Sequence, residues 1–279
     1  MRYLFRTSKT FLILFVMTGG IFAQTFNMQG FPSNRAQFAV SFMKSWLDSP
    51  TDYSTFSGLY ELSANIPITL NYNFVTSLPI SNVKWEVNLR VENEPEFEES
   101  GVGNVFIGVQ SNNEVTDGRR SSALFGVFLP TADEKAAPFG LLPNAYEMQK
   151  YSPDIITLYF NYAVQKTNNN GFRFGFEIGP SVFVPTGDNK ADTEFVAHFG
   201  LNMGIETPKI YFGLEFIGIA IISEDVDEFT DRFINALDFG VAYKGKNITP
   251  KLFYKIYVDE DFERMVEGVL GIGLEASLN

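Results

Sequence analysis

Ionisable side chains recur along this chain at alternate positions, opposite rows of bulky apolar ones. Glu61, Arg173, Glu177, Glu194, His198, Glu215, Asp238, Lys251, Lys255, Glu267 and Glu275 fall on that polar parity. Charges withdrawn from bulk water must be paired or hydrated. Lys251 and Lys255 lie between the segments that carry Asp238 and Glu267, and Arg173 and Glu177 share one face of one segment. Two chemistries follow. The charges either form ion pairs that act as interior struts, or their carboxylate excess makes a constriction that favours cations, as rings of acidic side chains do.

Enzymatic chemistry is not expected. The only histidine is His198, and there is no cysteine, so a His/Cys metal site cannot be built and no cofactor is expected. Alternation with Phe195, Ala197, Phe199 and Leu201 puts His198 on the polar face, with no Ser two residues away. A lone imidazole there is more often a hydrogen-bonded wall residue than a general base.

The elements that must position these groups follow from the same alternation. Leu70, Tyr72 and Phe74 oppose Thr69, Asn71 and Asn73; Phe172, Phe174, Phe176 and Ile178 oppose Arg173, Gly175 and Glu177. Val266, Leu270, Ile272, Leu274 and Leu278 oppose Glu267, Gly271, Gly273 and Glu275. A period of two sustained over about ten residues is the pattern of membrane-barrel strands, with apolar side chains toward lipid and polar ones toward the lumen. The content of 29 Phe, 12 Tyr and 23 Gly suits strands and tight turns. The longest apolar run after the N-terminus, Ile210 to Ile222, is broken by Glu215. A membrane-resident chain of this kind has to close into a barrel, which alone pairs every strand N–H and C=O without water.

Strands are expected near 37–46, 55–65, 69–78, 103–110, 121–130, 155–166, 172–184, 193–206, 209–222, 232–244, 248–258 and 264–278, which makes an all-β, up-and-down antiparallel transmembrane barrel of about 12 strands. Tight links at 166–171, 207–209 and 245–247 mark the periplasmic side; long connections at 81–102 and 131–154 are expected to be extracellular. The stretch 83–91 alternates like a further strand and is assigned, with the acidic run Glu92 to Glu99, to an external loop or a hairpin above the membrane.

Arg2, Arg6 and Lys9, an apolar run from Phe11 to Phe22 and then Ala23 read as a signal peptide, 1–23, ahead of a barrel at 24–279. Residues 24–35 lack a strand pattern and read as a periplasmic tail, with insertion into the lumen as the alternative. Cleavage takes the formal charge from −12 to −15 by removing three bases and no acid, so nucleic acid is not an expected partner. The expected partners are outer-membrane lipid, a small-molecule solute, divalent cations at the acidic external loops, and an outer-membrane protein if the barrel is a subunit of a larger complex. The expected location is the bacterial outer membrane.

Pro130, Thr131 and Asp133 recur as Pro185, Thr186 and Asp188, each set closing an outward-running strand. Pro withholds its donor from the ladder, and Thr and Asp bond nearby backbone, so both sets read as rim turns, structural or ligand-contacting. With Tyr60-Glu61-Leu62-Ser63-Ala64-Asn65-Ile66-Pro67-Ile68 leading to Ser77-Leu78-Pro79, and Ser100-Gly101-Val102-Gly103-Asn104-Val105 opening a strand, the chain resembles the outer-membrane barrel family named after the meta-pathway of phenol degradation. That family usually has Asp where this chain has Asn104. The resemblance implies passive passage of small, aromatic or apolar molecules across the outer membrane. A structural or accessory barrel that transports nothing is the alternative function.

Overall fold

The computed structural model describes residues 26–28, 30–31, 34–47, 52–53, 56–86, 97–115, 117–187, 192–223 and 232–278. The expected signal peptide, Asp188 and most of the acidic run at 92–99 lie outside these residues.

The strands are β1 (Ala36–Leu47), β2 (Asp52–Tyr53), β3 (Gly58–Pro67), β4 (Tyr72–Glu86), β5 (Phe97–Val102), β6 (Phe106–Val115), β7 (Arg119–Phe128), β8 (Ile155–Thr167), β9 (Phe172–Pro185), β10 (Glu194–Glu206), β11 (Ile210–Ile221), β12 (Phe233–Tyr243), β13 (Ile248–Tyr257) and β14 (Val266–Leu278). Each pairs antiparallel with its neighbours; β1 joins β14 on one side and β3 on the other, and β4 joins β6. The result is a closed, all-β antiparallel barrel of 12 strands. The remaining two, β2 and β5, lie outside the ring. β4 runs on past its barrel partners to Glu86, where β5 pairs with Ile80–Trp85 and β2 with Trp85 and Glu86. Val83 to Glu86 are thus the overlong end of a barrel strand, which is why their alternation adds no further strand to the ring.

Burial follows the two-residue period. On β9, Arg173, Gly175, Glu177, Gly179 and Ser181 are buried, while Phe172, Phe174, Phe176 and Ile178 are exposed. Phe38, Val40, Leu62, Val109, Phe125, Phe160, Leu201, Phe239 and Leu252 extend the exposed apolar wall around the ring. This is the inversion that lipid imposes: the outer face is greasy and the inner one polar.

The lumen nevertheless contains aromatic rings, and glycines make room for them. A Cβ at Gly271 would stand 1.9 Å from Phe253 Cζ, and one at Gly126 would stand 2.4 Å from Phe106 Cζ. Each ring therefore lies flat on bare backbone of the neighbouring strand.

One expected lumen residue is misplaced by the alternation. The β1–β14 register slips where Trp46 faces Gly268 but Leu47 faces Val266, so Glu267 has no partner across the ladder. This bulge reverses the parity at the outer end of β14: Val266 is buried and Glu267 is exposed. Glu267 is not a lumen residue.

Candidate functional site

The lumen of the barrel is partly filled by two pieces of its own chain. The first is the segment before β1. The backbone N–H groups of Phe26, Asn27 and Met28 donate to the Glu215 carboxylate at 2.8, 2.9 and 3.2 Å, and the Asn27 amide donates to Asp238. Successive backbone N–H groups converging on a carboxylate form an anion-holding nest. The Phe26 ring stacks on Tyr211 at 5.6 Å, and Gln110 Nε2 donates to Gly30 O at 2.7 Å. Residues 26–28 and Gly30 thus reach from β11 on one side of the ring to β6 on the other.

The second insertion is the connection from β7 to β8, expected as a long external loop. It folds inward through a 3₁₀ turn (Ala137–Gly140), a short helix α1 (Leu141–Asn144) and a second 3₁₀ segment (Ala145–Lys150). Three anchors hold it. At the rim, Asn104 is fully buried; its Oδ1 accepts from Thr131 N and Ala132 N, and its Nδ2 donates to Gln149 O and Ser152 O. Thr131 bridges Gly103 and Val105, and Asp133 Oδ1 accepts from Lys135 N and Ala136 N, so these residues act as a structural turn. Those backbone donors hold the exposed Asp133 carboxyl below its ordinary pKa. Thr186, in the second copy of the motif, donates its N–H to Asp154 O.

The other two anchors lie in the lumen. Lys255 Nζ, fully buried on β13, donates to Pro143 O at 2.9 Å, Asn144 Oδ1 at 3.2 Å and Tyr146 Oη at 2.8 Å. Asp238 sits across the ladder from it. Lys150 Nζ reaches both Glu61 oxygens at 2.9 Å and Glu147 at 2.7 Å. Burial opposes the Lys150 charge, but Glu147 and Glu61 outweigh it and raise its pKa above the ordinary lysine value. Lys150 is a fixed cation at neutral pH.

Asn104 is the position at which the resembled family usually has Asp, and here its amide supplies both donors to the loop. Asn104→Asp would aim a carboxylate at two carbonyls, and each lost buried bond costs about 1–3 kcal/mol. The barrel should stay folded while the 131–154 connection becomes susceptible to protease. Equal protease resistance in both proteins would disprove this anchor.

The remaining lumen charges are mostly paired. Lys251 meets Glu275 at 3.4 Å, rather than Glu267. Arg173 lies over the Tyr211 ring at 4.6 Å and 3.8 Å from Glu206, which also binds Lys244 at 2.5 Å. Glu177 accepts from Asn161 at 3.1 Å, and half-buried Glu194 stands at the outer end of β10. His198 stacks on Tyr159, centroids 4.6 Å apart and planes 9° from parallel. Glu206 and Lys244, absent from the expected set, share the parity of Asn202 and Asp238; following it to the strand ends would have found them. Glu147, Lys150 and Tyr146 were not accessible to a strand pattern, since they arrive from a loop.

Between the insertions and the wall are cavities of about 220 and 250 Å³. Asn27, Gly30, Glu61, Ser63, Glu147, Lys150 and Glu275 line both, so the two spaces adjoin at the Lys150 cluster. The arrangement is an interior partly filled by two inserted segments, with one ion-paired cluster lining both remaining spaces.

Solved structures that share this fold include an outer membrane channel and two porins. The chain has the fold of an outer membrane channel from Pseudomonas putida F1, with a TM-score of 0.60 at 9% identity over 92% of this chain and 100% of that one. The KdgM porin matches with a TM-score of 0.52 at 7% identity, over 86% of this chain and 99% of that one. The NanC porin matches with a TM-score of 0.52 at 9% identity, over 87% and 100%. No family model and no curated protein matches the sequence. At these identities the likeness is one of fold.

Proposed function

We propose that the chain is an outer-membrane barrel that gives small molecules passive passage through its lumen, with the Lys150–Glu61–Glu147 cluster as the narrowest charged point. The observation that carries this reading is the pair of adjoining cavities, both lined by the Lys150 charge cluster, inside a closed barrel. A barrel with a purely structural role has no need of such space; interiors of small barrels otherwise fill with side chains. The apolar outer wall fits a lipid surround, and acidic external loops would take divalent cations that bridge to lipid headgroups. The leader-like N-terminus fits export.

The reading assigns no catalysis to the chain. His198 stacks on an aromatic ring, and its nitrogens bond neither a Ser nor a carboxylate among the described residues.

Liposome swelling with sugars, amino acids and aromatic acids tests passage: solute-dependent swelling is expected, and impermeable liposomes containing folded protein would reject it. The charge cluster has its own test. Lys150→Met leaves Glu61 and Glu147 facing the lumen without their shared cation, so the cation-to-anion permeability ratio should rise several-fold. An unchanged reversal potential in a salt gradient would remove the cluster from the path.

A further inference from the structure

We propose that the 220 Å³ lumen cavity is a binding site for a compact organic ammonium ion, a solute of about one ring in size. The inference rests on the lumen being the transport path, and names the class of solute that path would hold.

The charge lining the cavity is one-sided. Glu61, Glu147, Glu177 and Glu275 face it against one ammonium, Lys150, which Glu61 and Glu147 already share. Lys251, which pairs with Glu275, faces the adjoining cavity and leaves the balance acidic. A negative interior enclosed by low-dielectric walls concentrates cations and repels anions.

The same cavity is also lined by aromatic rings. Tyr159 packs edge to face against Phe106 and Phe128, which are tilted against each other, all within 6 Å, and His198 extends the platform by stacking on Tyr159. Aromatic faces attract an ammonium through their quadrupoles, more strongly once water is excluded.

The third observation is independent of charge. His198 is 9% exposed and lines the cavity, yet Nδ1 and Nε2 both lack a hydrogen-bond partner among the described residues. Leaving buried polar atoms unpaired is costly. A ligand that donates an N–H to one ring nitrogen satisfies the imidazole while its charge faces the carboxylates. A wholly apolar solute would fill the space and leave the imidazole unpaired; a carboxylate would meet the acidic side.

Three solutes of one shape separate these cases: benzylammonium, benzyl alcohol and benzoate. Saturation-transfer NMR on the full folded chain in micelles, with the signal from protein-free micelles subtracted, removes partitioning into detergent. Benzylammonium should bind about tenfold more tightly than benzyl alcohol, with benzoate weakest, and its binding should weaken with added salt. Both His198→Phe and the isosteric Glu177→Gln should reduce it; heat-modifiable gel migration verifies that each variant is folded. Equal binding of alcohol and ammonium, preference for benzoate, or binding indifferent to both substitutions would overturn the site. Flux of the same solutes into liposomes is measured separately: binding without flux rejects the passage reading and leaves the site standing, whereas flux without binding rejects the site.

Discussion

Replacing Glu215 by Ala should raise the single-channel conductance several-fold. Glu215 is fully buried on β11, and its two oxygens accept the backbone N–H groups of Phe26, Asn27 and Met28. Hydrogen bonds to a charged acceptor contribute about 1.5–3 kcal/mol each, so this carboxylate is the main tether of the segment. The Phe26 ring on Tyr211 and the Asn27 contact with Asp238 remain. They hold the segment less tightly, and it should leave the lumen for part of the time. Adding Asn27→Ala should raise conductance further. Bilayer recordings of the three proteins check this, and identical conductance in all of them would mean that residues 26–28 do not restrict flow.

Lys255→Met should be the most destabilising single substitution in the lumen. The ammonium is fully buried, faces Asp238 across the β12–β13 ladder, and makes three hydrogen bonds to the inserted loop. Removing it takes the facing ammonium from Asp238 and the donor from three buried acceptors, and a buried polar group left unsatisfied costs about 1–3 kcal/mol. The loop keeps one bond to β13, from Ala145 N to Tyr257 Oη at 2.9 Å. The double variant Lys255→Met, Asp238→Asn removes the stranded charge and should recover much of that loss. Urea unfolding followed by gel migration measures both; a single variant as stable as the parent would show that Lys255 does not hold the inserted loop in place.

The barrel wall was legible because lipid and lumen write a simple period into each strand. Arg173, Glu177, Glu215, Asp238, Lys255 and Glu275 are all buried on the inner face, where alternation places them. Glu267 fails for a local reason: a bulge is one extra residue, and nothing in Val266-Glu267-Gly268 announces it. The turn between β6 and β7 did carry a signal that alternation alone does not use. Asp117-Gly118 is a hairpin pair, and both residues take positive φ, at 71° and 72°.

The interior of the lumen was much less legible. Glu61 has the right parity, but its partner Lys150 comes from a loop some 90 positions away. The N-terminal segment is held by its backbone, so no side-chain pattern could show that Glu215 is its acceptor. The hint lay in composition: Ala137 to Tyr151 carries Phe, Leu, Tyr and Met where an exposed connection would be polar. Leu141, Leu142, Ala145, Tyr146, Met148 and Tyr151 pack inside, with Tyr257, Ile217 and Ala236.

Passage of solute is the claim on which the rest depends, and the conductance of the purified, folded chain in a planar bilayer tests it most directly. A small, stepwise, cation-favouring conductance that increases with Glu215→Ala is the predicted result. A bilayer that stays insulating with wild type and with Glu215→Ala, although both are inserted and folded, would contradict it.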